Sequence, residues 1–178
     1  MTWTISTAAL SAPRQPRYDG GGPWNPSGCA SGKTAEARAL EAKIRRAFPW
    51  VRVVGGLRCE RLQSSTGPQL SIHAVGRALD VMVPTLGAPE GDALANWLVA
   101  NAKILGVQLV IWNGTVWQGS LGRQDVYTGP NSHADHVHVE VLRGSGLSAL
   151  AGLGIAVAAI GAGAAVVWLA GRSSRRRR

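Results

Sequence analysis

The sequence predicts an α+β domain, in which two helices accompany a small, mostly antiparallel sheet, followed by one C-terminal transmembrane helix. Three observations predict it. Two stretches, 34–48 and 90–105, repeat apolar residues at helical spacing. An Asn113-Gly114 pair between two strand-like runs marks a tight hairpin. The third is a run of 24 residues, 147–170, without a single charged side chain.

In chain order, residues 1–28 are rich in Pro, Gly and Ser and read as an irregular leader. Their first 13 residues have no basic stretch followed by an apolar core, so no signal peptide is read there. Thr34 can cap the first helix, Ala37, Leu40, Ile44 and Phe48 form its apolar stripe, and Pro49 ends it. Residues 51–54 make a short apolar strand closed by Gly55-Gly56, and 60–68 read as a polar loop. A strand over 77–83 stops at Pro84. The second helix turns Leu94, Trp97, Leu98 and Leu105 inward and ends at Gly106. The hairpin pairs 107–112 with 115–118, its flanking Trp112 and Trp117 assigned to the core, and 118–133 reads as a loop. Residues 136–142 alternate as a final strand.

Charge distribution sets the expected surroundings. The formal net charge is +9, and Arg172 with the four arginines 175–178 supplies five of the positive charges. A basic chain raises nucleic-acid binding, but here the basic cluster abuts an apolar run that as a helix would span about 36 Å, more than a bilayer core of about 30 Å. Trp168 suits the interface, and by the positive-inside rule the tail is cytoplasmic and the preceding domain extracytoplasmic. The expected organisation is a leader at 1–28, a folded domain at 29–143, a single membrane span at 147–170 and a basic tail at 171–178. The membrane is the expected partner of the tail and nucleic acid is not.

Chemistry concentrates in two segments. Ser71-Ile-His-Ala-Val-Gly-Arg-Ala-Leu-Asp80 sets a His and an Asp seven apart, and His133-Ala-Asp-His-Val-His-Val-Glu140 sets His136 and His138 two apart. On a strand, i and i+2 share a face, so His136 and His138 point together while Val137 and Val139 point to the other side. Neutral imidazoles and a carboxylate are zinc ligands, and three of them leave a fourth position open. His73, Asp80 and one of the paired histidines would make such a site. Each motif alone is a weak signal; the two together hold all four histidines of the chain.

These residues, Ser71-x-His73-x-x-Gly76-Arg77-Ala78-x-Asp80 followed by Asp135-His136-x-His138, resemble the metallopeptidases that include D-alanyl-D-alanine carboxypeptidases, lysostaphin-type endopeptidases and the hedgehog signalling domain. Bacterial and phage cell-wall peptidases of the carboxypeptidase branch look closest, over about residues 35–141. The resemblance implies a small antiparallel sheet with helices packed on one side, and a zinc peptidase domain at 29–143. It implies one catalytic Zn²⁺ on His73, Asp80 and His138, with Arg58 and Ser71 at the substrate, a peptidoglycan peptide. The catalytic base is either Asp135, where many members carry a Glu three residues before the last ligand, or His136, as in members with a His-x-His pair. Glu140 shares the histidine face and reads as a residue behind the ligands or on the surface. A catalytically inactive zinc-fold binding module anchored to the membrane is the alternative that this resemblance also allows.

Two other features are weighed against chemistry. Ser27 to Thr34 nearly matches a phosphate-binding loop, but Ser27 stands where its first glycine belongs and no buried strand precedes it. Cys29 and Cys59 are the only cysteines and can form one disulfide or stay as two thiols.

Overall fold

Thr34 opens the longest helix: its hydroxyl accepts the Ala37 N–H at 3.3 Å, the N-cap bond that satisfies an otherwise orphaned donor. A computed structural model describes residues 2–14 and 17–144. Within it α1 is Thr7–Leu10, α2 is Ala35–Ala47, α3 is Pro89–Ala100 and α4 is Ala102–Leu105. The strands are β1 Val54–Gly55, β2 Arg61–Ser64, β3 Gly67–Leu70, β4 Ala78–Met82, β5 Val107–Trp112, β6 Thr115–Gln118, β7 Arg123–Val126 and β8 His136–Val141. Six of them form one antiparallel sheet in the order β1-β4-β8-β5-β6-β7, and β2 with β3 makes a separate ribbon.

The alternation of β8 divides the molecule into a packing side and a chemical side. Val137, Val139 and Val141 are fully buried against Leu79 and Val81 of β4, Val110 of β5, and the helix residues Leu40, Ile44, Leu94 and Leu98. Burying each such side chain contributes about 1.5–3 kcal/mol, so this face anchors the register. That register sets Asp80 directly opposite His138, and Met82 opposite His136. One residue of slip would send the histidines into the apolar core.

Several elements differ from the sequence expectation. The polar stretch read as a loop at 60–68 is largely the β2–β3 ribbon, whose hydrogen-bonding backbone needs no apolar pattern because β2 is mostly exposed and β3 buries only Leu70. The loop at 118–133 contains β7, an edge strand exposed at every position. The second helix breaks at Asn101, whose side chain bonds back to the Trp97 carbonyl at 2.8 Å and yields α3 and α4. The leader is tied down: Trp3, Ile5 and Ala9 are buried in the core, and the Trp3 carbonyl accepts the Thr115 hydroxyl at 2.7 Å. Cys29 and Cys59 form a disulfide with Cα atoms 5.5 Å apart.

The predicted fold class, with its membrane helix, is corrected. Among the described residues no helix is long and apolar enough to cross a membrane. The longest, α2, has 13 residues and carries Lys43, Arg45 and Arg46, spanning about 20 Å where a bilayer core needs about 30 Å. The span predicted at 147–170 and the tail at 171–178 lie outside the described residues. What stands is an α+β fold with a six-stranded antiparallel sheet. The single-pass localisation, with its extracytoplasmic domain and cytoplasmic tail, is not supported.

Candidate metal centre

Two strands and one turn bring the ligand groups together. Asp80 on β4 and His138 on β8 face each other by register, and His73 arrives from the turn before β4. Ser71 builds that turn: its buried hydroxyl accepts the Ala74 N–H at 3.0 Å, and the His73 carbonyl accepts the Gly76 N–H at 3.0 Å. Gly76 adopts φ +69°, and a Cβ there would stand 2.3 Å from the Gly32 carbonyl oxygen, so only glycine closes the turn. Ser71, expected at the substrate, is buried and spends its hydroxyl on this turn.

The buried trio His73, Asp80 and His138 can hold a metal ion, their ligand atoms all within 4.8 Å of one another. His138 Nδ1 lies 3.0 Å from Asp80 Oδ1 and 3.2 Å from His73 Nε2, and His73 Nε2 lies 3.4 Å from Asp80 Oδ1. Ligand atoms held tetrahedrally about 2.0–2.1 Å from a metal stand about 3.3–3.4 Å apart. The donor set therefore fits one small cation with little rearrangement.

Outer partners select which nitrogen of each ring faces inward. His73 donates Nδ1–H to the Gly56 carbonyl, freeing Nε2. Gly56 has φ +151° and passes so close to β4 that a Cβ would fall 2.4 Å from the Ala78 carbonyl oxygen. On the other ring, His138 Nε2 donates to Glu140 Oε1 at 3.3 Å, leaving Nδ1 toward Asp80. Such partners set the tautomer and orientation of metal-ligating histidines.

Asp80 is the electrostatic hub. Arg58 Nη1 donates to its Oδ2 at 2.6 Å, and Arg58 Nε to Glu60 at 3.1 Å, while Oδ1 faces the imidazoles. Burial alone would raise the Asp80 pKa, but His138, His73 and Arg58 around it hold it well below the usual carboxylate range. Burial likewise opposes the charge on His138, yet Asp80 and Glu140 on either side lift it from 6.5 to about 9. A raised folded-state pKa adds stability that is full below the unfolded value of 6.5 and is lost as pH rises through about 9. Chelator-treated chain is expected to lose up to about 3 kcal/mol between those pH values, read as a falling urea midpoint. A His73→Ala variant should keep the slope, and a His138→Gln variant should flatten it. Because a ligating histidine must shed its proton, metal uptake below about pH 9 releases one from His138.

His136 and Asp135 make a pair beside the trio. His136 Nδ1 is 2.6 Å from Asp135 Oδ1, and its Nε2 is 3.7 Å from Asp80 Oδ1. His133 joins them, a residue that the motif reading left without a role. Its ring centre is 4.8 Å from that of His136 and 5.6 Å from that of His138, and Tyr127 meets it edge-on at 4.9 Å. Burial pushes its pKa down to about 4, against a partly compensating bond to the Asn131 carbonyl. The available signal was the crowding of three histidines into six residues. By contrast Lys33, in the near-match to a phosphate loop, is committed to Glu41 at 2.7 Å.

Neither the curated proteins nor the solved structures contain a match to the chain. A family model described as VldE, C-terminal domain, matches residues 29–138, a span that runs from the first disulfide cysteine to the last residue of the trio. That match covers more than half of the sequence and takes in His73, Asp80 and His138 together, and the chain belongs to the VldE C-terminal domain family.

Proposed function

We propose that this chain is a zinc-dependent peptidase that hydrolyses peptide bonds of peptidoglycan, as a D,D-carboxypeptidase or an endopeptidase. The observation that carries the reading is the convergence of His73 Nε2, Asp80 Oδ1 and His138 Nδ1, with His136 Nε2 only 3.7 Å from the same Asp80 oxygen. Two imidazoles and one carboxylate with a fourth position open is a catalytic zinc pattern. The resemblance of the paired motifs to cell-wall peptidases supplies the substrate class.

When bound, zinc supplies Lewis acidity that polarises a scissile carbonyl and lowers the pKa of a water. The protein groups divide the remaining work. Asp135 takes the Nδ1–H of His136, so Nε2 presents a lone pair toward the centre. From there it can accept a proton from the attacking water and return it to the leaving amine. This favours His136 as the base and Asp135 as the residue that orients it. Arg58 holds Asp80 Oδ2, and its half-exposed guanidinium can still reach a substrate carbonyl or carboxylate. His133 walls the site beside His136 as a neutral ring above about pH 4.

The test is incubation of full-length, zinc-loaded chain with purified peptidoglycan, followed by mass spectrometry of released fragments. New amino termini or freed D-alanine, absent after chelation, are expected. Stoichiometric zinc with no cleavage of any wall preparation would instead favour a zinc-fold binding module.

A further inference from the structure

Glu140 sits on the same strand face as His138 and is buried to 7% exposure, so little solvent reaches its carboxylate. Each of its oxygens accepts a hydrogen bond. Oε1 accepts from His138 Nε2 at 3.3 Å and Oε2 from Gln108 Nε2 at 2.9 Å. Gln108 reaches it because β5 shifts register between Val107 and Leu109, a bulge that re-aims one side chain to the chemical side.

Gln108 also bonds the backbone of Asp19, and the leader is clamped at this point. The buried Arg77 guanidinium donates to the carbonyls of Asp19 at 2.8 Å, Gly20 at 2.7 Å and Val141 at 3.0 Å. Gln108 Oε1 accepts the Asp19 N–H at 2.9 Å. Further along, the Leu70 N–H donates to the Gly22 carbonyl and the Trp24 N–H to the Pro68 carbonyl, joining the leader to the β2–β3 ribbon. Segment 19–24 is therefore a strap tied to the same Gln108 that holds Glu140.

We infer that Glu140 and Gln108 are positioning residues of the metal centre, Glu140 fixing His138 to ligate through Nδ1 and Gln108 fixing Glu140. The strap is then part of the metal site although no residue of it touches the ion. The inference rests on the trio being a metal site. The chemistry is general: a carboxylate on the outer nitrogen of a ligating imidazole fixes the ring and raises its basicity. What this chain adds is that the carboxylate is itself held by Gln108, whose amide also grips the backbone of the leader at Asp19.

The experiment measures zinc affinity by competition with a chromophoric chelator for full-length wild type, Glu140→Gln, Glu140→Ala and Gln108→Met, with circular dichroism confirming that each variant folds. Long-range ¹⁵N–¹H correlations of the zinc-loaded chains report which nitrogen of each histidine is bound. Wild type is expected to show His138 bound through Nδ1 and His73 through Nε2. Glu140→Ala should bind zinc about 10–100-fold more weakly and lose the single Nδ1 mode. Glu140→Gln, which keeps an oxygen facing Nε2–H, should retain the mode with a smaller loss of affinity. Gln108→Met, close to glutamine in shape but without its amide, should weaken zinc in the same direction. Wild-type affinity and an unchanged Nδ1 mode in folded Glu140→Gln and Gln108→Met would overturn the inference. A wild-type chain that takes up no zinc would overturn the metal reading beneath it, so the two failures are distinct.

Discussion

Full-length chain carrying His138→Ala is expected to bind zinc at least about 100-fold more weakly than wild type, more than the roughly 10–100-fold typical of losing only a ligand's outer partner. The substitution removes Nδ1 from the trio and also the cation that sits between Asp80 and Glu140. In the metal-free chain it leaves two buried carboxylates without their shared partner, a change that costs about 3–5 kcal/mol when a buried ion pair is broken. His73→Ala separates the two effects. It takes one ligand from the trio but leaves the Asp80, His138 and Glu140 contacts in place. That variant should fold and lose zinc, so loss of metal is read without loss of structure. Chelator competition with circular dichroism on both variants checks it, and peptide-bond cleavage should fall with the metal in each.

His136→Ala should lower kcat by about 10²–10⁴, the range typical of removing a positioned general base, while zinc affinity stays within a few-fold. His136 is outside the trio and reaches it only through the 3.7 Å approach to Asp80. Asp135→Asn is the informative companion. Its amide can donate to Nδ1 of His136, which would move the imidazole proton to Nε2 and remove the lone pair that takes a proton. A large fall in kcat with little change in KM is therefore expected for both variants. If Asp135 were itself the base, His136→Ala would keep substantial activity and Asp135→Asn alone would be inactive. Steady-state kinetics on a released peptide, with zinc content measured in parallel, separates these outcomes.

The apolar alternation of β8 and the stripe of α2 were legible because each residue there answers to one pattern. Val137, Val139 and Val141 go inward, and Ala37, Leu40 and Ile44 are buried. The pairing of His136 with His138 followed from the same period. Its register against Asp80 did not, since register is set by the long-range pairing of β4 with β8. The β2–β3 ribbon and β7 escaped because exposed strands carry no hydrophobic period, as in Arg61-Leu-Gln-Ser64 and Arg123-Gln-Asp-Val126. Arg77 was quoted as part of a motif with no means of telling that its guanidinium grips the backbone of residues 19 and 20. His133 was hidden for a similar reason: it stands in a left-handed conformation at φ 54°, outside the strand whose alternation identified its neighbours. The membrane helix rests on the apolar run 147–170 with Trp168 and the flanking arginines, and no helix among the described residues is long and apolar enough to cross a membrane.

The central claim is that His73, Asp80 and His138 form one metal centre. Equilibrium dialysis of the full-length chain against zinc, followed by elemental analysis, tests it most directly. One zinc per chain in the wild type and none above background in folded His73→Ala is the predicted result. No zinc in the wild type, or an equal load in the variant, would contradict it.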